Sequence, residues 1–301
     1  MNQLKQSIKH KMPAFVKRHV VHRDDLLREN ISKEQLGLEI GPSHHPIASK
    51  KAGYHVEVVD WLDQEGLREQ YKDHGVDLDA IEEVDYVWKG GSYYQLINKS
   101  EYYDYIIASH MIEHTTDFLG FLQDCAKLLK PMGILRLAVP DKRYCFDHFR
   151  DVTGIAEVLN NYFHPDNLQS VGKVAEYFTN VVAYKKKISW EKGSSLLGTC
   201  GIGNKNYAFL YAPESVREHM NRVMEEKEYL DIHHYVFTPA SFELLISDLR
   251  NLGLLDLEIV HKYPTLGNEF LVTLQKTEKK STVDFELRKR MLRKRNRENR
   301  V

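Results

Sequence analysis

The sequence predicts an α/β fold in which a mostly parallel sheet, with an antiparallel edge, is interrupted by a helical insertion. Strand and helix signals alternate from residue 36 to about residue 141, which is typical of a parallel sheet whose strands are joined by helices. The stretch 142–230 then becomes mainly helical. The alternation resumes afterwards with a helix and two strands that end near residue 276.

The first two strands frame a ligand-binding pattern. The strand Leu36–Ile40 carries Glu39 near its end and opens into a turn at Gly41. The next strand, Tyr54–Asp60, ends in an acid 21 residues after Glu39. A strand, a glycine turn and an acid about 20 residues later form the layout of a Rossmann-like nucleoside site. The glycine lets a ligand approach the backbone, and the acid can accept hydrogen bonds from two ribose hydroxyls.

The composition of this turn favours a nucleoside without a pyrophosphate. A dinucleotide site usually has three glycines, so that helix amides can hold the pyrophosphate. Here Gly41 stands alone, and Pro42 and Pro46 donate no amide. S-adenosylmethionine is the common ligand of this kind, and an NAD-dependent oxidoreductase is the alternative.

The later elements follow in order. A helix with apolar residues at helical spacing is predicted over residues 116–130, where Thr115 or Thr116 is expected to cap it and Pro131 to stop it. Further helices are predicted over three ranges: 153–163, 167–187 and 213–229.

The last part of the chain is predicted to return to the sheet. Thr238-Pro239 has the cap and first-turn proline of a helix start, and Gly253 ends that helix. Leu255–Tyr263 and Glu269–Lys276 alternate like two strands, which a turn at Pro264–Asn268 joins.

Four motifs in this order resemble those of the class I methyltransferases, which use S-adenosylmethionine. Glu39–Gly41 resembles their first motif, and Asp60 resembles their ribose-binding acid. Asp104–His114 resembles their fourth strand with its turn, and Leu128–Asp141 resembles the helix end, turn and fifth strand. The resemblance implies a Rossmann-like class I methyltransferase sheet. It covers the ranges 36–150 and 235–276.

A narrower resemblance is to bacterial methyltransferases found beside glycosyltransferases in surface-polysaccharide clusters. Two phrases carry it, Pro140–Asp147 and His233–Pro239. This resemblance implies O-methylation of a sugar or glycan acceptor. Small-molecule and protein acceptors stay open, and so does a non-catalytic scaffold that partners a glycosyltransferase.

The cofactor is assigned to residues at the carboxyl edge of the sheet. They are Glu39, Gly41, Pro42, Ser43, Asp60, Trp88, Gly90 and Ser109. Two positions depart from the family pattern. Ser43 replaces its second glycine, and Lys89-Gly90-Gly91 stands where an acid often meets the adenine amine, so the adenine contact stays open.

Histidines and one carboxylate at the same edge are candidates for chemistry. The catalytic candidates are His110, Asp141 and His233, and the acceptor-binding candidates are Arg143, His114 and His234. An imidazole can act as a general base near neutral pH, which helps an oxygen acceptor to lose its proton. Structural roles are the alternatives: a salt-bridged turn for Asp141 and Arg143, and hydrogen-bonded histidines for the others.

The sequence patterns that would indicate a metal site or a phosphate loop are incomplete. His110-Met-Ile-Glu113-His114 matches the His-x-x-Glu-His pattern of some zinc proteases, but it follows the strand Tyr105–Ala108 directly instead of lying within a helix. We therefore expect no metal, with Glu113 and His114 orienting the turn. The loop Gly198–Gly203 lacks the lysine and the strand–helix context of a phosphate loop.

Charge and composition limit the partners. Residues 279–301 carry ten Lys/Arg and three Asp/Glu, a surplus of +7, so the remaining chain has 32 bases and 40 acids. An acidic body disfavours a nucleic-acid partner. Two alternatives are predicted for the basic tail. It is either a helix, with Leu287, Met291 and Leu292 on one stripe, or a solvated tail. As a helix it is predicted to bind an anionic membrane surface or a glycosyltransferase.

Three scattered cysteines and the lack of a signal sequence favour a cytoplasmic location, peripheral to the inner membrane face if the tail binds lipid. We divide the chain into four parts. They are an N-terminal helical segment with a basic face at 1–30, a methyltransferase core at 31–150 and 231–276, a helical insertion or lid at 151–230 and a basic tail at 277–301.

Overall fold

The computed structural model describes residues 22–166, 168–191 and 206–300. Two predicted features lie outside these residues: most of the N-terminal helical segment with its basic face, and the loop Gly198–Gly203.

A seven-stranded sheet forms the centre of the fold, and a separate pair of short strands lies in the insertion. The strands are β1 Leu36–Ile40, β2 His55–Asp60, β3 Tyr86–Val87, β4 Tyr103–Ser109, β5 Leu129–Pro140, β6 Val182–Tyr184, β7 Tyr207–Phe209, β8 Leu257–Leu266 and β9 Glu269–Lys276. The main sheet has the order β3-β2-β1-β4-β5-β9-β8. Its first five strands pair in parallel, and β9 is antiparallel to both of its neighbours. The predicted Rossmann-like class I methyltransferase sheet is confirmed.

Helices cover both faces of this sheet. They are α1 Arg23–Leu27, α2 Gln64–Tyr71, α3 Tyr93–Ile97, α4 Phe118–Leu128, α5 Ile155–Phe163, α6 Val171–Asn180, α7 Pro213–Glu225, α8 Pro239–Asn251 and α9 Phe285–Glu298. The larger buried cluster joins the sheet to α3, α4 and α8, and a smaller one lies beneath α1. Within the described ranges, no helix combines the length and apolar character that crossing a membrane requires.

The two central strands approach closely because one position has no side chain. Gly37 on β1 is paired in register with Tyr105 on β4. A Cβ atom at Gly37 would lie 2.0 Å from the ring of Tyr105, so that only glycine leaves room for this ring. The close approach fixes the two strand ends that face the ligand edge.

The helix before β5 is shorter than predicted at both ends. Asp117 caps α4 by accepting a hydrogen bond from the Gly120 N–H at 2.8 Å, while the hydroxyl of Thr115 accepts one from the Asp117 N–H. The predicted cap at Thr115 or Thr116 is therefore wrong. The stop at Pro131 is also wrong, because β5 begins at Leu129, which is already paired with β4.

The insertion combines helices with a strand pair. Its predicted helices are present, but α6 ends at Asn180, and the helix predicted to residue 187 is wrong there. Val182–Tyr184 pairs in antiparallel fashion with Tyr207–Phe209. Val181 and Val182 are fully buried, and β-branched residues favour the extended backbone that buries them. The domain boundaries themselves stay a prediction.

The return to the sheet follows the prediction closely. Thr238 forms a capping box with Ser241, and Pro239 begins α8. Gly253 has φ of +70° just after this helix, where a left-handed residue is common. The turn is tighter than the predicted Pro264–Asn268, because β8 continues to Leu266 and leaves two residues between the strands.

The basic tail is a helix that docks on α8. Met291 is buried, Arg288 pairs with Asp248, and the carboxylate of Glu298 accepts the Ala240 N–H at 2.8 Å. The helical alternative is therefore confirmed. Its contact with a membrane or a glycosyltransferase stays a prediction.

Candidate active site

A cleft of about 420 Å³ opens at the carboxyl ends of β1 and β4. The strand order reverses between these two strands, and open α/β sheets bind ligands at such a point. The cleft is bounded by the turn 39–45, by Ser109 and His110, and by the side chains of Arg23, Tyr71, Asn268 and Glu269. Its size is within the range of small-molecule sites.

The turn after β1 adopts the conformation that the glycine predicts. Gly41 has φ of +68°, and Ser43 has φ of +49°. The nearest atom to a Cβ built on Gly41 belongs to Met111, at 3.4 Å. At Gly41 this turn therefore exposes backbone atoms and no side chain to the cleft. The turn after β4 lies beside it.

Asp60 ties this turn to the end of β2. Its two carboxylate oxygens accept the N–H groups of Ser43 and Trp61, each at 2.8 Å. Burial raises the pKa of Asp60, and the two donors oppose that shift only in part. Each oxygen keeps a second lone pair, which is the capacity that two ribose hydroxyls require.

The carboxylate of Glu39 accepts hydrogen bonds from the protein backbone. Its oxygens accept the N–H groups of Ile47 and Ala48 at 2.6 and 3.0 Å. Burial raises the pKa of Glu39 to about 7 despite these two donors. The carboxylate thus shapes the loop behind the cleft, and its direct contact with a cofactor stays a prediction.

The segment after β3 is held against α3. The ring of Trp88 stacks on Tyr93 with centroids 5.1 Å apart, and its indole N–H donates to the Gly91 carbonyl. Gly90 has φ of +110°. Among the described residues, those that line the cleft include neither Trp88 nor Gly90. The acid just before, Asp85, accepts from the Val58 N–H and from Lys50, so that the adenine contact stays open.

His110 lies at the centre of a charged network in the cleft. It has φ of +51°, and its Nε2 lies 2.6 Å from Glu269 Oε2. Its Nδ1 lies 3.4 Å from Glu113 Oε1. Arg23 donates to the other oxygen of Glu269 at 2.5 Å and to the hydroxyl of Ser109.

The two carboxylates determine the charge of His110. Burial lowers its pKa, but the pairing with Glu113 and Glu269 outweighs burial and raises the pKa to about 9. An imidazole with this pKa holds its proton at neutral pH, which suits a cationic binding group better than a base. The role of His110 as a base stays a prediction.

Asp141 and Arg143 form an ion pair at the end of β5. Arg143 donates to both carboxylate oxygens of Asp141 at 2.8 and 2.6 Å, and the Thr265 hydroxyl donates to Asp141 at 2.6 Å. The pair connects β5 to β8; Asp141 is buried and Arg143 is partly exposed, so the salt bridge of the predicted turn is present. The catalytic and acceptor-binding roles of these two residues stay predictions.

His233 and His114 meet beside Glu113. The His233 Nδ1 lies 2.6 Å from Asp147, and the His114 Nδ1 lies 2.7 Å from Asp231. The two imidazole rings are edge to face, with centroids 4.8 Å apart. The Nε2 atom of each ring lies 4.0 Å from Glu113 Oε1. We call Glu113, His114 and His233 the histidine–carboxylate cluster.

His234 occupies a different environment from its neighbour. Asn161 donates a hydrogen bond to its Nε2 at 3.0 Å. Burial lowers the pKa of His234 to about 3, so that this imidazole is neutral. It packs against α5, and its contact with an acceptor stays a prediction.

Several residues around the site escape sequence reasoning. Arg23 and Asp231 lie in segments with no motif, and their positions follow only from the fold. Glu269 has a signal, because the first residue of an antiparallel strand lies at the carboxyl edge of its parallel neighbour. Asp147 lies within the phrase Pro140–Asp147 and becomes informative only once His233 is beside it.

The fold and the cleft define a nucleoside-binding protein of the Rossmann-like class. A left-handed glycine turn borders the cleft, and a buried acid with free lone pairs lies at the next strand end, which fits an adenosyl ligand. The methyltransferase domain family matches residues 9–183, more than half of the sequence. The chain belongs to this family, and it is an S-adenosylmethionine-dependent methyltransferase.

Comparisons with solved structures give distant similarities. A methyltransferase from Methanosarcina mazei is 13% identical, covers 86% of this chain and 99% of its own, and has a TM-score of 0.44. A Rhodobacter sphaeroides protein, provisionally described as a Zn-dependent alcohol dehydrogenase, is 15% identical, with 84% and 88% covered and a TM-score of 0.41.

The 1,6-didemethyltoxoflavin-N1-methyltransferase of Burkholderia thailandensis, solved with S-adenosylhomocysteine, is 13% identical, with 85% and 76% covered and a TM-score of 0.39. No curated protein matches the sequence. The family assignment therefore rests on the sequence match.

The residues that would hold the cofactor are the turn at Gly41 and the carboxylate of Asp60. S-adenosylmethionine supplies a methyl group on a positively charged sulfonium. The contribution of the protein to such a transfer is mainly proximity and alignment, since an in-line displacement needs few acid–base groups. Glu113 and Glu269 add negative charge near the cleft, which Arg23 and His110 partly balance.

Proposed function

We propose that the protein O-methylates a hydroxyl group of a sugar or glycan acceptor in surface-polysaccharide synthesis. The observation that carries this proposal is the histidine–carboxylate cluster beside the cleft. His110 borders the cleft and lies 3.4 Å from Glu113, so that the cluster adjoins the ligand edge. A hydroxyl loses its proton when it is methylated, and imidazole and carboxylate groups lower the cost of that loss.

The choice of a glycan is supported by a contact between distant parts of the chain. The phrases Pro140–Asp147 and His233–Pro239 carry the resemblance to polysaccharide-cluster methyltransferases. Their members Asp147 and His233 are paired at 2.6 Å. The two phrases that carry the resemblance are therefore in contact through this pair.

A methyl-label assay tests this proposal. Purified protein with labelled S-adenosylmethionine is offered extracted surface glycans, nucleotide sugars, RNA and protein, and the Asp60→Ala variant serves as the blank. We expect label in glycan or nucleotide sugar. Label in RNA or protein alone would contradict the glycan acceptor while the methyltransferase assignment stands. Cofactor binding without turnover on any acceptor would favour the scaffold alternative.

A further inference from the structure

We propose that Glu113, His114 and His233 bind one divalent transition-metal ion, and that Zn²⁺ matches their chemistry. Two imidazoles and one carboxylate form a common ligand set for such ions. The sequence disfavours a metal bound by His110 and His114, because these two residues do not share a helix. The ligand set proposed here is different: Glu113 and His114 come from the turn after β4, and His233 comes from the segment before α8.

The distances between the ligand atoms suit a single ion. One donor atom from each residue lies within 4.8 Å of the others, and both Nε2 atoms are 4.0 Å from Glu113 Oε1. Ligands of one tetrahedral Zn²⁺ ion bind at about 2.0–2.2 Å and are therefore about 3.3–3.6 Å apart. The three donors must approach one another by about 0.5–1.5 Å to bind one ion, which side-chain rotations can supply.

The buried carboxylate of Glu113 has the imidazole of His110 as an ion-pair partner, with Nδ1 3.4 Å from Oε1, but it has no well-oriented hydrogen bond from a described residue. Its side chain is 1% exposed, and among the described residues none donates a hydrogen bond to either of its oxygens. A buried carboxylate without hydrogen bonds is costly. A cation at the centre of the cluster would satisfy it directly.

The two histidines are arranged as metal ligands usually are. A ligating imidazole commonly has a carboxylate at its second ring nitrogen, which fixes the ring orientation and raises its basicity. Asp147 has this position at His233, and Asp231 lies 2.7 Å from His114 Nδ1 as an ion pair without a well-oriented hydrogen bond. The Nε2 atom of each ring lies on the side of Glu113. The site is inferred from these two rings and the buried carboxylate between them.

The site has an open side. The side chain of Asp231 is 79% exposed and that of His114 is 28% exposed, whereas Glu113 and His233 are buried. Three protein ligands leave at least one coordination position free. This step rests on the proposed function: an acceptor hydroxyl bound there would have a lowered pKa and would release its proton to solvent. His233 would then act as a ligand and not as a base.

Calorimetric titration of metal-stripped protein tests the site. We expect one equivalent of Zn²⁺ to bind, and Mg²⁺, which prefers oxygen ligands, to bind far more weakly. Glu113→Gln and His233→Asn should each weaken Zn²⁺ binding at least ~10-fold, and Asp147→Asn should weaken it by ~10–100-fold. His261→Gln, which removes an exposed imidazole on β8, is the matched control and should bind like the wild type.

Thermal unfolding separates a metal ligand from a structural residue. Without metal, Glu113→Gln should unfold at a lower temperature than the wild type, because it removes the carboxylate that pairs with His110, so the response to Zn²⁺ is the informative readout. Zn²⁺ should raise the midpoint of the wild type and not that of the variant. Equal Zn²⁺ binding by both proteins, or no stoichiometric binding by the wild type, would overturn the proposal.

The two proposals fail in different ways. One bound Zn²⁺ with no methylated glycan would support the metal site and contradict the proposed acceptor. Full glycan methylation by protein that binds no Zn²⁺ would support the acceptor and overturn the metal site.

Discussion

Asp60 is the residue that we predict to contribute most to cofactor binding, because its buried carboxylate ties the glycine turn to the end of β2 and keeps acceptor capacity. The sequence identifies it through its spacing from Glu39, and the structure places it where β2 meets the glycine turn. Glu39, the other acid of the pattern, also accepts one backbone N–H group on each oxygen, but its donors Ile47 and Ala48 lie in the loop behind the cleft and not in the glycine turn. Spacing along the chain therefore locates both acids without distinguishing their roles.

Replacing Asp60 with alanine should weaken the binding of S-adenosylmethionine by about 1–3 kcal/mol, the range for a lost charged hydrogen-bond partner. Calorimetric titration measures the change. Asp73→Ala, which removes an exposed acid just after α2, is the control and should bind normally. Unchanged affinity in Asp60→Ala would place the ribose elsewhere.

Glu39 should make the stability of the protein fall as pH rises. Its pKa in the folded state is about 7 because of burial, with the nearby carboxylates of Glu82 and Asp24 adding to the effect. The unfolded value is about 4.3, so the folded state binds more protons between these values. The stability due to this proton is complete below pH 4, is lost between about pH 4 and 7, and amounts to about 4 kcal/mol.

Chemical denaturation at several pH values measures this slope. Glu39→Gln cannot ionise, so its stability should lack the decline that the wild type shows between about pH 4 and 7. The two proteins are compared by the slope of stability against pH and not by stability itself. The glutamine amide has one acceptor oxygen fewer than the carboxylate, which lowers stability at every pH. Identical slopes in the two proteins would contradict the raised pKa.

At the scale of elements, local signals predict a helix boundary where the cap and the first turn are adjacent in sequence, and they miss it where distant pairing decides. The Thr238-Pro239 start is correct, since a cap and its first turn are adjacent in sequence. The end of α6 is not, because the segment after Asn180 becomes a strand only by pairing with Tyr207–Phe209. Long-range pairing of this kind leaves no trace in local periodicity. The early start of β5 has the same origin, in its pairing with β4.

The cap of α8 gives a test at this scale. Thr238→Ala removes the hydroxyl that accepts the Ser241 N–H and should lower the free energy of unfolding by about 1 kcal/mol. Denaturant titration gives the value. Thr282→Ala, an exposed threonine outside the helices, should leave stability unchanged. A loss no larger than that of the control would show that the cap contributes little.

For the whole molecule, the order of motifs predicts the sheet and its ligand edge, because the carboxyl ends of parallel strands lie together. The cluster beside that edge is less predictable. Asp147 and His233 are 86 residues apart and meet only because the chain returns to the core after the insertion. Folding also neutralises part of the charge of the basic tail, since Arg288 and Lys294 pair with acids on α8.

A crystal structure of the protein with S-adenosylhomocysteine tests the position of the cofactor most directly. We predict the adenosyl group over the turn at Gly41, with both ribose hydroxyls within hydrogen-bond distance of Asp60. The sulfur should be directed toward the side of the cleft that holds His110. A ligand bound away from the β1–β4 edge, or a ribose without contact to Asp60, would contradict this prediction.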